Sequence, residues 1–374
     1  MSGIYLHIPF CRKACHYCNF HFSTSLKLKN DFIEALLLEI DRKKNQHLKL
    51  ETIYFGGGTP SLLEKDELLQ IFNALNTSFN LSEIQEITLE CNPEDINSFQ
   101  LQTWLELGIN RLSIGVQSLN NTELQLMNRN HLAEQSKKSV QLAVEAGFQN
   151  LTLDLIYGTP WKSIQEWENE LRWALNSGIS HLSAYALTVE PKTALSHQIK
   201  KKEVQEPSDE RMTEDFMLLQ KLMLEFGWDA YEISNYCKPG QRSKHNSNYW
   251  KGSPYLGLGP SAHSFDGELT RSWNISNNAL YIEGEKTGIP SVEFENLSLI
   301  ERCNELIMTK LRTKEGLQLS ELGIWAETFK SSNIHFLKTA ALNGWIIEFE
   351  ESISLTNDGK LISDYIISEL MLID

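Results

Sequence analysis

Three cysteines near the start of the chain have a spacing suited to metal chemistry. Cys11, Cys15 and Cys18 lie within eight positions, directly after the apolar run YLHI. Three thiolates on one short loop can take three corners of a four-iron four-sulfur cluster and leave the fourth iron without a protein ligand. Such an iron can chelate the amino and carboxylate groups of S-adenosylmethionine and pass an electron into its sulfonium, which yields methionine and a 5′-deoxyadenosyl radical. The loop therefore predicts a cluster that binds S-adenosylmethionine.

Two other interpretations of this loop stay open from the residues alone. A structural zinc site would need a fourth nitrogen or sulfur ligand, which His16 or His21 could supply. Three free thiols are the other possibility, although thiols packed this closely invite oxidation. The remaining cysteines are scattered and are expected to be buried free thiols: Cys91, Cys237 and Cys303.

The elements that must position this loop follow a strand and helix rhythm. Six short β-rich apolar runs predict strands: YLHI, TIYF ending at Phe55, ITLE ending at Glu90, RLSIGV ending at Val116, LTLDLI ending at Ile156 and LSAYAL ending at Leu187. Helical spacing is found in five segments: Asp31 to Ile40, Lys65 to Leu75, Gln135 to Ala146, Glu166 to Leu175 and Glu214 to Phe226. The alternation predicts parallel βαβ units in an α/β fold. Six units are too few for a closed eight-stranded barrel, so we expect a curved, open one.

Polar residues stand at the carboxyl ends of these predicted strands. GGGTPS follows Phe55, Glu90 ends the third strand, Gln117 follows the fourth, and Asp154 lies near the end of the fifth. Central parallel strands are usually almost entirely apolar, and the carboxyl ends of such strands collect binding residues. Capping of the following helix or loop is the other explanation for the two acids. These positions predict a ligand site at one end of the sheet.

The last third of the chain follows a different pattern. From about Leu187 to Pro290 we expect mainly loops rich in Gly, Pro, Ser and Asn. Beyond that, helices are predicted at Ser298 to Leu311, Ser320 to Phe329 and Asn333 to Asn343, then the hairpin WIIEFEESISLT and a last helix from Gly359. This is a smaller α+β domain that resembles a winged helix. We expect three regions: a barrel over 1–235, a connecting region over 236–294 and the C-terminal domain over 295–374.

Composition and charge limit the function further. The chain has 374 residues, of which 41% are hydrophobic and 22% charged, and no apolar run predicts a transmembrane segment. The start, MSGIYLHIPF, lacks the pattern of a secretory signal, so a reducing, cytoplasmic location is expected. The net charge of −15 opposes a nucleic-acid partner. From Glu295 onward 13 acids stand against 7 bases, so the C-terminal domain is interpreted as a protein-interaction or lid domain.

The pattern CX3CX2C, with an aromatic residue before the third cysteine, resembles the radical S-adenosylmethionine superfamily. The resemblance implies a partial (β/α)6 barrel and a glycine-rich stretch after the second strand, where GGGTP stands here. HIPFCXXXCXYC, FGGGTPS, ECNPE, SIGVQS, LDLIYGTP and GLGPSAHS resemble the branch that contains oxygen-independent coproporphyrinogen III oxidase and its relatives, over roughly the first 265 residues. In that branch the matching positions surround S-adenosylmethionine: Tyr5, Gly57, Gly58, Thr59, Glu90, Gln117, Arg129 and Asp154.

Two features of the chain separate the members of this branch. The oxidase has a fourth cysteine two residues after the third and a longer segment before the cluster, whereas here Phe20 holds that position and only ten residues precede Cys11. The segment HNSNYW, from His245 to Trp250 in a loop-like stretch, is similar to the HNXXYW motif of HemW-type heme chaperones. The resemblance implies heme binding through His245, since imidazole is a common axial ligand of heme iron. His263 in PSAHS has no such motif to support it as a heme ligand and is expected to serve the cofactor side instead.

The leading hypothesis is therefore a heme chaperone that delivers heme to apo-hemoproteins such as respiratory enzymes. Family resemblance also implies a homodimer and peripheral contact with membrane-bound recipients. The alternative is an oxygen-independent coproporphyrinogen III oxidase, which converts propionates to vinyl groups. A radical methyltransferase acting on another substrate is a third hypothesis, although no methyl-carrier cysteine motif is evident.

Overall fold

The structure, a computed structural model, describes residues 2–44, 48–349 and 351–373. Its strands are β1 (Ser2–Ile8), β2 (Leu50–Gly57), β3 (Glu86–Cys91), β4 (Arg111–Gln117), β5 (Asn150–Tyr157), β6 (His181–Ala186), β7 (Asp229–Ala230), β8 (Asn235–Cys237), β9 (Tyr255–Leu258), β10 (His263–Phe265), β11 (Thr270–Asn274), β12 (Val292–Asn296), β13 (Leu317–Gln318), β14 (Ile346–Phe349) and β15 (Ser352–Leu355).

The α-helices alternate with the strands in the first half of the chain and dominate its end. They are α1 (Lys29–Arg42), α2 (Lys65–Ser78), α3 (Ser98–Glu106), α4 (Asn121–Leu126), α5 (Ala133–Glu145), α6 (Ile164–Asn176), α7 (Ala194–Lys200), α8 (Asp209–Glu225), α9 (Lys244–Trp250), α10 (Asn278–Thr287), α11 (Leu299–Leu311), α12 (Ala326–Leu342), α13 (Asn357–Leu361) and α14 (Ser363–Leu370). Short 3-10 segments cover Pro60–Leu62, Pro93–Asp95 and Leu319–Trp325.

The six predicted strands form the centre of one sheet. Strands β1 to β6 lie side by side in chain order, and each pairs in parallel with the next. The prediction of an α/β fold built on six parallel strands with helices between them is confirmed. Apolar side chains of these strands, such as Ile53, Leu112 and Leu153, are fully buried between the sheet and the surrounding helices. This packing places the six carboxyl ends at one edge of the sheet.

The five predicted helices all form, as α1, α2, α5, α6 and α8, with ends that differ by a few residues. Helix α3 was not predicted. It begins after Asn97, whose side chain accepts a hydrogen bond from the backbone N–H of Gln100 at 3.0 Å and so caps the helix. Its nine residues are too few for a clear apolar period.

The prediction of a loop-rich stretch from Leu187 to Pro290 is wrong. This stretch contains α7 to α10, and its strands β7 to β11, with β12 following, extend the main sheet on both sides. Strand β9 pairs in parallel with β1, with Tyr5 opposite Gly257, while β8 pairs antiparallel with β6. These strands have two to five residues, so their hydrophobic alternation is too short to detect in the sequence.

The C-terminal part has its own apolar core and its own sheet. Strands β13, β15 and β14 form an antiparallel sheet in that order, and Ile307, Phe329 and Ile366 lie among the fully buried side chains of this core. The predicted α+β character is confirmed, and the predicted hairpin is β14 and β15, although its residue Glu350 lies outside the described residues.

Two helices predicted in this part are in error. Helix α12 is continuous from Ala326, where the sequence pattern predicted separate helices at Ser320 to Phe329 and Asn333 to Asn343. The break lies earlier, at Gly323, whose φ of +55° interrupts the preceding 3-10 segment. Within the described parts of the chain, we find no helix long and apolar enough to cross a membrane.

Two leucines on helix α8 give a direct test of where the core lies. Leu219 is fully buried, whereas Leu224 is 84% exposed. We expect Leu219→Ala to lower the free energy of unfolding by about 2–5 kcal/mol, because it removes buried methyl groups and leaves a cavity. Leu224→Ala, the control on the same helix, is expected to change it by less than about 0.5 kcal/mol. Equal losses in urea unfolding would contradict this assignment of the helix face.

Candidate cofactor and ligand site

The cysteine loop is anchored by backbone contacts to distant parts of the barrel. Cys11 donates its N–H to the carbonyl of Ser23 at 3.0 Å, and His16 donates its N–H to the carbonyl of Met127 at 3.1 Å. The Asn128 side chain donates to the carbonyl of Ala14 at 2.7 Å. The loop is therefore held against the connection between α4 and α5, at the carboxyl ends of the strands.

Two of the three thiols contact polar side chains from other parts of the barrel. The Thr59 hydroxyl lies 3.5 Å from Cys11 Sγ, and Arg129 Nη1 lies 3.3 Å from Cys15 Sγ. Burial, with a smaller contribution from the neighbouring Cys15 and Cys18, raises the pKa of Cys11 to about 11. Burial also raises the pKa of Cys18, with Cys15 adding to the effect. Mutual repulsion between developing thiolates is relieved when a cation binds them.

Arg129 joins the loop to two strand ends. Its Nη2 donates to Asn92 Oδ1 at 2.6 Å and to the carbonyl of Gly115 at 2.7 Å. Asn92 in turn donates to the Thr59 hydroxyl at 3.3 Å. The Nε of Arg129 is buried and has no hydrogen-bond partner within residues 2–44, 48–349 and 351–373. A buried cation with a spare donor fits an anionic group such as a cluster thiolate or the carboxylate of S-adenosylmethionine.

The histidines near the loop are engaged elsewhere. His16 Nδ1 lies 2.8 Å from the carbonyl of Leu126, and His21 Nε2 lies 2.7 Å from Asn278 Oδ1. These contacts give no support to either residue as a fourth zinc ligand. Over the described ranges, no three His, Cys, Asp or Glu side chains converge on a position for one metal ion.

Two predicted acids lie half-buried in the barrel interior. Glu90 accepts hydrogen bonds from the Tyr54 hydroxyl at 2.7 Å and from the Gly57 N–H at 3.2 Å. Asp154 accepts from the Ser113 hydroxyl at 3.1 Å. Burial raises the pKa of Glu90 to about 7, with Asp154 adding to the rise, and burial raises the pKa of Asp154 to about 6. Near neutral pH both carboxyls are poised to accept hydrogen bonds from ribose hydroxyls or to hold a proton.

The glycine-rich segment is pinned to the start of the cysteine loop. Gly58 donates its N–H to the carbonyl of Ile8 at 2.9 Å, and Thr59 donates to that of Phe10 at 2.7 Å. Gly57 has a φ of +104°, and a Cβ on it would lie 2.6 Å from the His7 ring, so only glycine fits there. The segment thereby offers close backbone approach beside the thiols.

Tyr5 and Gln117 complete the predicted set around S-adenosylmethionine. Tyr5 stacks on Tyr54 at 6.0 Å between ring centroids, next to Glu90. Gln117 ends β4 with a φ of +66°, at a shift in the pairing register with β5. That left-handed geometry turns the chain at the strand end. Sequence reasoning missed Tyr54 and Ser113, which orient the two acids, because a polar residue inside a strand carries no signal of its partner.

His245 is on helix α9, so the prediction of a loop-like stretch is wrong. The Glu86 carboxylate accepts the backbone N–H groups of Lys244 and His245, each at 2.9 Å, and the Ser243 hydroxyl accepts that of Asn246 at 3.3 Å. An acid at the first turn stabilises the helix through its N-terminal donors. The helix has seven residues, too short for a helical period in the sequence.

The His245 ring is enclosed and both of its nitrogens are engaged. Nδ1 lies 2.7 Å from the Thr52 hydroxyl, Nε2 lies 3.0 Å from the Tyr249 hydroxyl, and the ring stacks on Tyr54 at 4.9 Å. Only 2% of the residue is exposed, and burial lowers the pKa of the imidazole to about 3. It is therefore neutral, as a ligand must be, but in this conformation no nitrogen is directed at solvent.

A cavity of about 420 Å³ lies between the cysteine loop and helix α9. We call it the aromatic cavity. Phe20 is 69% exposed at its edge. Burial lowers the pKa of His7 to about 4 and lowers that of His263. The residues around the cavity are Tyr5, His7, Asn19, Phe20, His21, Tyr249, Tyr255, Ser261 and His263.

Comparisons with known proteins agree with this geometry. The profile of the Radical SAM superfamily matches residues 5–174. The fold is similar to that of coproporphyrinogen III oxidase (HemN) from Escherichia coli, described as a radical SAM enzyme, with a TM-score of 0.85 over 99% of this chain and 90% of that one, at 22% identity. The family profile, together with a fold that agrees with it, defines the radical S-adenosylmethionine class of protein.

Relatives that match over nearly the full chain identify the family within this class. The heme chaperone HemW of Mycobacterium tuberculosis is 32% identical, with 99% of this chain and 94% of the relative covered. That of Bacillus subtilis is 32% identical, with 97% of each covered. The chain belongs to the HemW family of the radical SAM superfamily.

The raised pKa of Glu90 predicts a pH effect on stability. The folded protein keeps this proton up to about pH 7, whereas the unfolded chain loses it near 4.5, so the free energy of unfolding falls as the pH rises through this window. The drop is on the order of 3 kcal/mol. We expect Glu90→Gln to flatten this part of the profile in urea unfolding of the metal-free protein from pH 5 to 8. The exposed Glu83→Gln is the control, and parallel profiles for wild type and Glu90→Gln would be contrary to the assignment.

Proposed function

We propose that the protein is a heme chaperone, which binds heme and an S-adenosylmethionine-ligated four-iron four-sulfur cluster and transfers heme to apo-hemoproteins such as respiratory enzymes. The aromatic cavity carries this proposal, because Phe20 follows the cysteine loop and Tyr249 belongs to the HNSNYW helix. A flat macrocycle is held by stacking aromatic rings and by an imidazole on its iron. Relatives named as heme chaperones over nearly the whole chain support the same function.

The proposed cluster ligands are Cys11, Cys15 and Cys18. Arg129, 3.3 Å from Cys15 Sγ, would neutralise part of the thiolate charge. When bound, the cluster supplies an open iron for S-adenosylmethionine and a source of one electron. The proposed contacts of S-adenosylmethionine are Tyr5, Gly57, Gly58, Thr59, Glu90, Gln117, Arg129 and Asp154.

The proposed axial ligand of heme from the HNSNYW motif is His245. In the conformation described, its Nε2 is paired with the Tyr249 hydroxyl, which also borders the aromatic cavity. Rotation of Tyr249 would give Nε2 a path to the cavity, while Thr52 would keep Nδ1 engaged. Such a second partner on the other ring nitrogen orients an imidazole ligand.

Replacing the cluster ligands should separate the two sites. In the variant Cys11→Ala, Cys15→Ala, Cys18→Ala we expect loss of iron and sulfide with heme retained, measured by anaerobic metal, sulfide and heme counts. The control replaces the buried cysteines Cys91, Cys237 and Cys303 with alanine and should retain the cluster. Unchanged iron and sulfide in the first variant would refute the cluster assignment.

Removing the hydrogen bond between Tyr249 and His245 should strengthen heme binding. Tyr249→Phe keeps the ring but removes the hydroxyl on Nε2, so we expect an increase in heme affinity of up to about tenfold, the value of one hydrogen bond. Tyr255→Phe is the matched control, since this cavity tyrosine makes no described contact with His245. His245→Ala should alter the heme absorbance spectrum, and an unchanged spectrum and stoichiometry would show that His245 is not a ligand.

The chaperone proposal also excludes turnover of the oxidase substrate. Reconstituted protein incubated anaerobically with coproporphyrinogen III, a reductant and S-adenosylmethionine is expected to form no protoporphyrinogen, by chromatography. Protoporphyrinogen formed at catalytic turnover would instead support the function of a coproporphyrinogen III oxidase. HemN, assayed in parallel, is the positive control.

The proposal extends to the location, the assembly and the partners of the protein. We propose a cytoplasmic location, a homodimer and peripheral contact with membrane-bound recipients, all from family resemblance. The net charge of −15 supports protein rather than nucleic-acid partners.

A further inference from the structure

Three imidazoles border the aromatic cavity, and two of them are already engaged. His7 Nε2 lies 2.8 Å from the carbonyl of His21, and its Nδ1 lies 3.2 Å from the Tyr5 hydroxyl. His21 Nε2 is bound to Asn278. Across the described residues, neither ring nitrogen of His263 makes a hydrogen bond, and the residue is exposed. His263 is therefore the cavity imidazole with both nitrogens available.

The ring of His263 is held in place by its neighbour across the sheet. His263 on β10 pairs with Trp273 on β11, and the two rings stack at 5.4 Å with an interplanar angle of 25°. Trp273 Nε1 donates to the Glu293 carboxylate at 3.0 Å, which fixes the indole. A metal ligand needs one ring nitrogen without a protein partner, and here the stacking on Trp273, rather than a hydrogen bond to the second nitrogen, orients the ring.

The backbone around His263 closely approaches strand β9, which itself pairs with β1. Gly257 lies opposite Tyr5, and a Cβ on it would overlap the backbone carbonyl of His263. The Gly257 N–H donates to the Ser264 hydroxyl at 2.9 Å, and Ser261 adopts a φ of +65° in the intervening turn. The tight turn thereby carries His263 to the same cavity as Tyr5.

The imidazole of His245, the other ligand proposed for heme iron, is shielded from the cavity. His245 is 2% exposed, and Tyr249 stands between its Nε2 and the cavity. Heme that enters this conformation therefore meets His263 before His245. We infer that His263 is an axial ligand of heme iron and captures heme in the aromatic cavity, while His245 becomes available on the other ligand position only when Tyr249 rotates. This inference rests on the proposed heme chaperone function.

The test compares the heme complexes of the full-length protein, with hemin as the probe. In His263→Ala we expect loss of the imidazole-ligated absorbance spectrum and heme binding weaker by about tenfold or more. Added free imidazole should restore the spectrum, since it fills the ligand position. His335→Ala, an exposed histidine on α12, should match wild type.

Other outcomes separate the inference from the proposed function. A wild-type spectrum and affinity in His263→Ala would overturn the role of His263 while leaving the chaperone function intact. Loss of heme that imidazole fails to restore, together with loss of cluster iron, would assign His263 a structural role and also overturn it. Failure of the wild-type protein to bind hemin stoichiometrically would instead overturn the proposed function.

Discussion

The site depends on one buried cation. The guanidinium of Arg129 contacts Cys15 Sγ, the side chain of Asn92 and the carbonyl of Gly115, so it ties the cysteine loop to the ends of β3 and β4. A buried positive charge is costly unless it is paired. The hydrogen-bond partners of this guanidinium are a thiol and neutral oxygens, and the Glu94 carboxylate interacts with it through charge without a hydrogen bond. The guanidinium therefore makes negative charge favourable at this position in the barrel, and the Cys15 thiol lies beside it.

Tyr54 connects the two halves of the site. Its hydroxyl donates to Glu90, and its ring stacks on both Tyr5 and His245. The residues proposed for S-adenosylmethionine and those proposed for heme therefore share one aromatic wall. A shift of His245 would alter the packing of a tyrosine that orients Glu90, so packing couples the residues proposed for the two ligands.

The sequence predicted this site unevenly, for physical reasons. The six central strands and the acids Glu90 and Asp154 could be predicted, because long buried runs have a strong pattern and acids within them stand out. The hydrogen-bond partners of His245 could not be predicted from the sequence. Thr52 lies on β2, far away in the sequence, and only the fold brings it to the imidazole. The same holds for β9, whose four residues take their place in the sheet from tertiary pairing with β1 rather than from any local preference.

The pairing of β9 with β1 also constrains how the chain folds. Tyr5 pairs with Gly257, 252 residues later. At a synthesis rate of roughly 5–20 residues per second, one side of β1 stays without its neighbour for about 10–50 s after it leaves the ribosome. During that time the strand that carries the cysteine loop is an open sheet edge, able to pair with other chains. The long sequence separation makes this closure slow, so β1 gains its second neighbour long after its own synthesis.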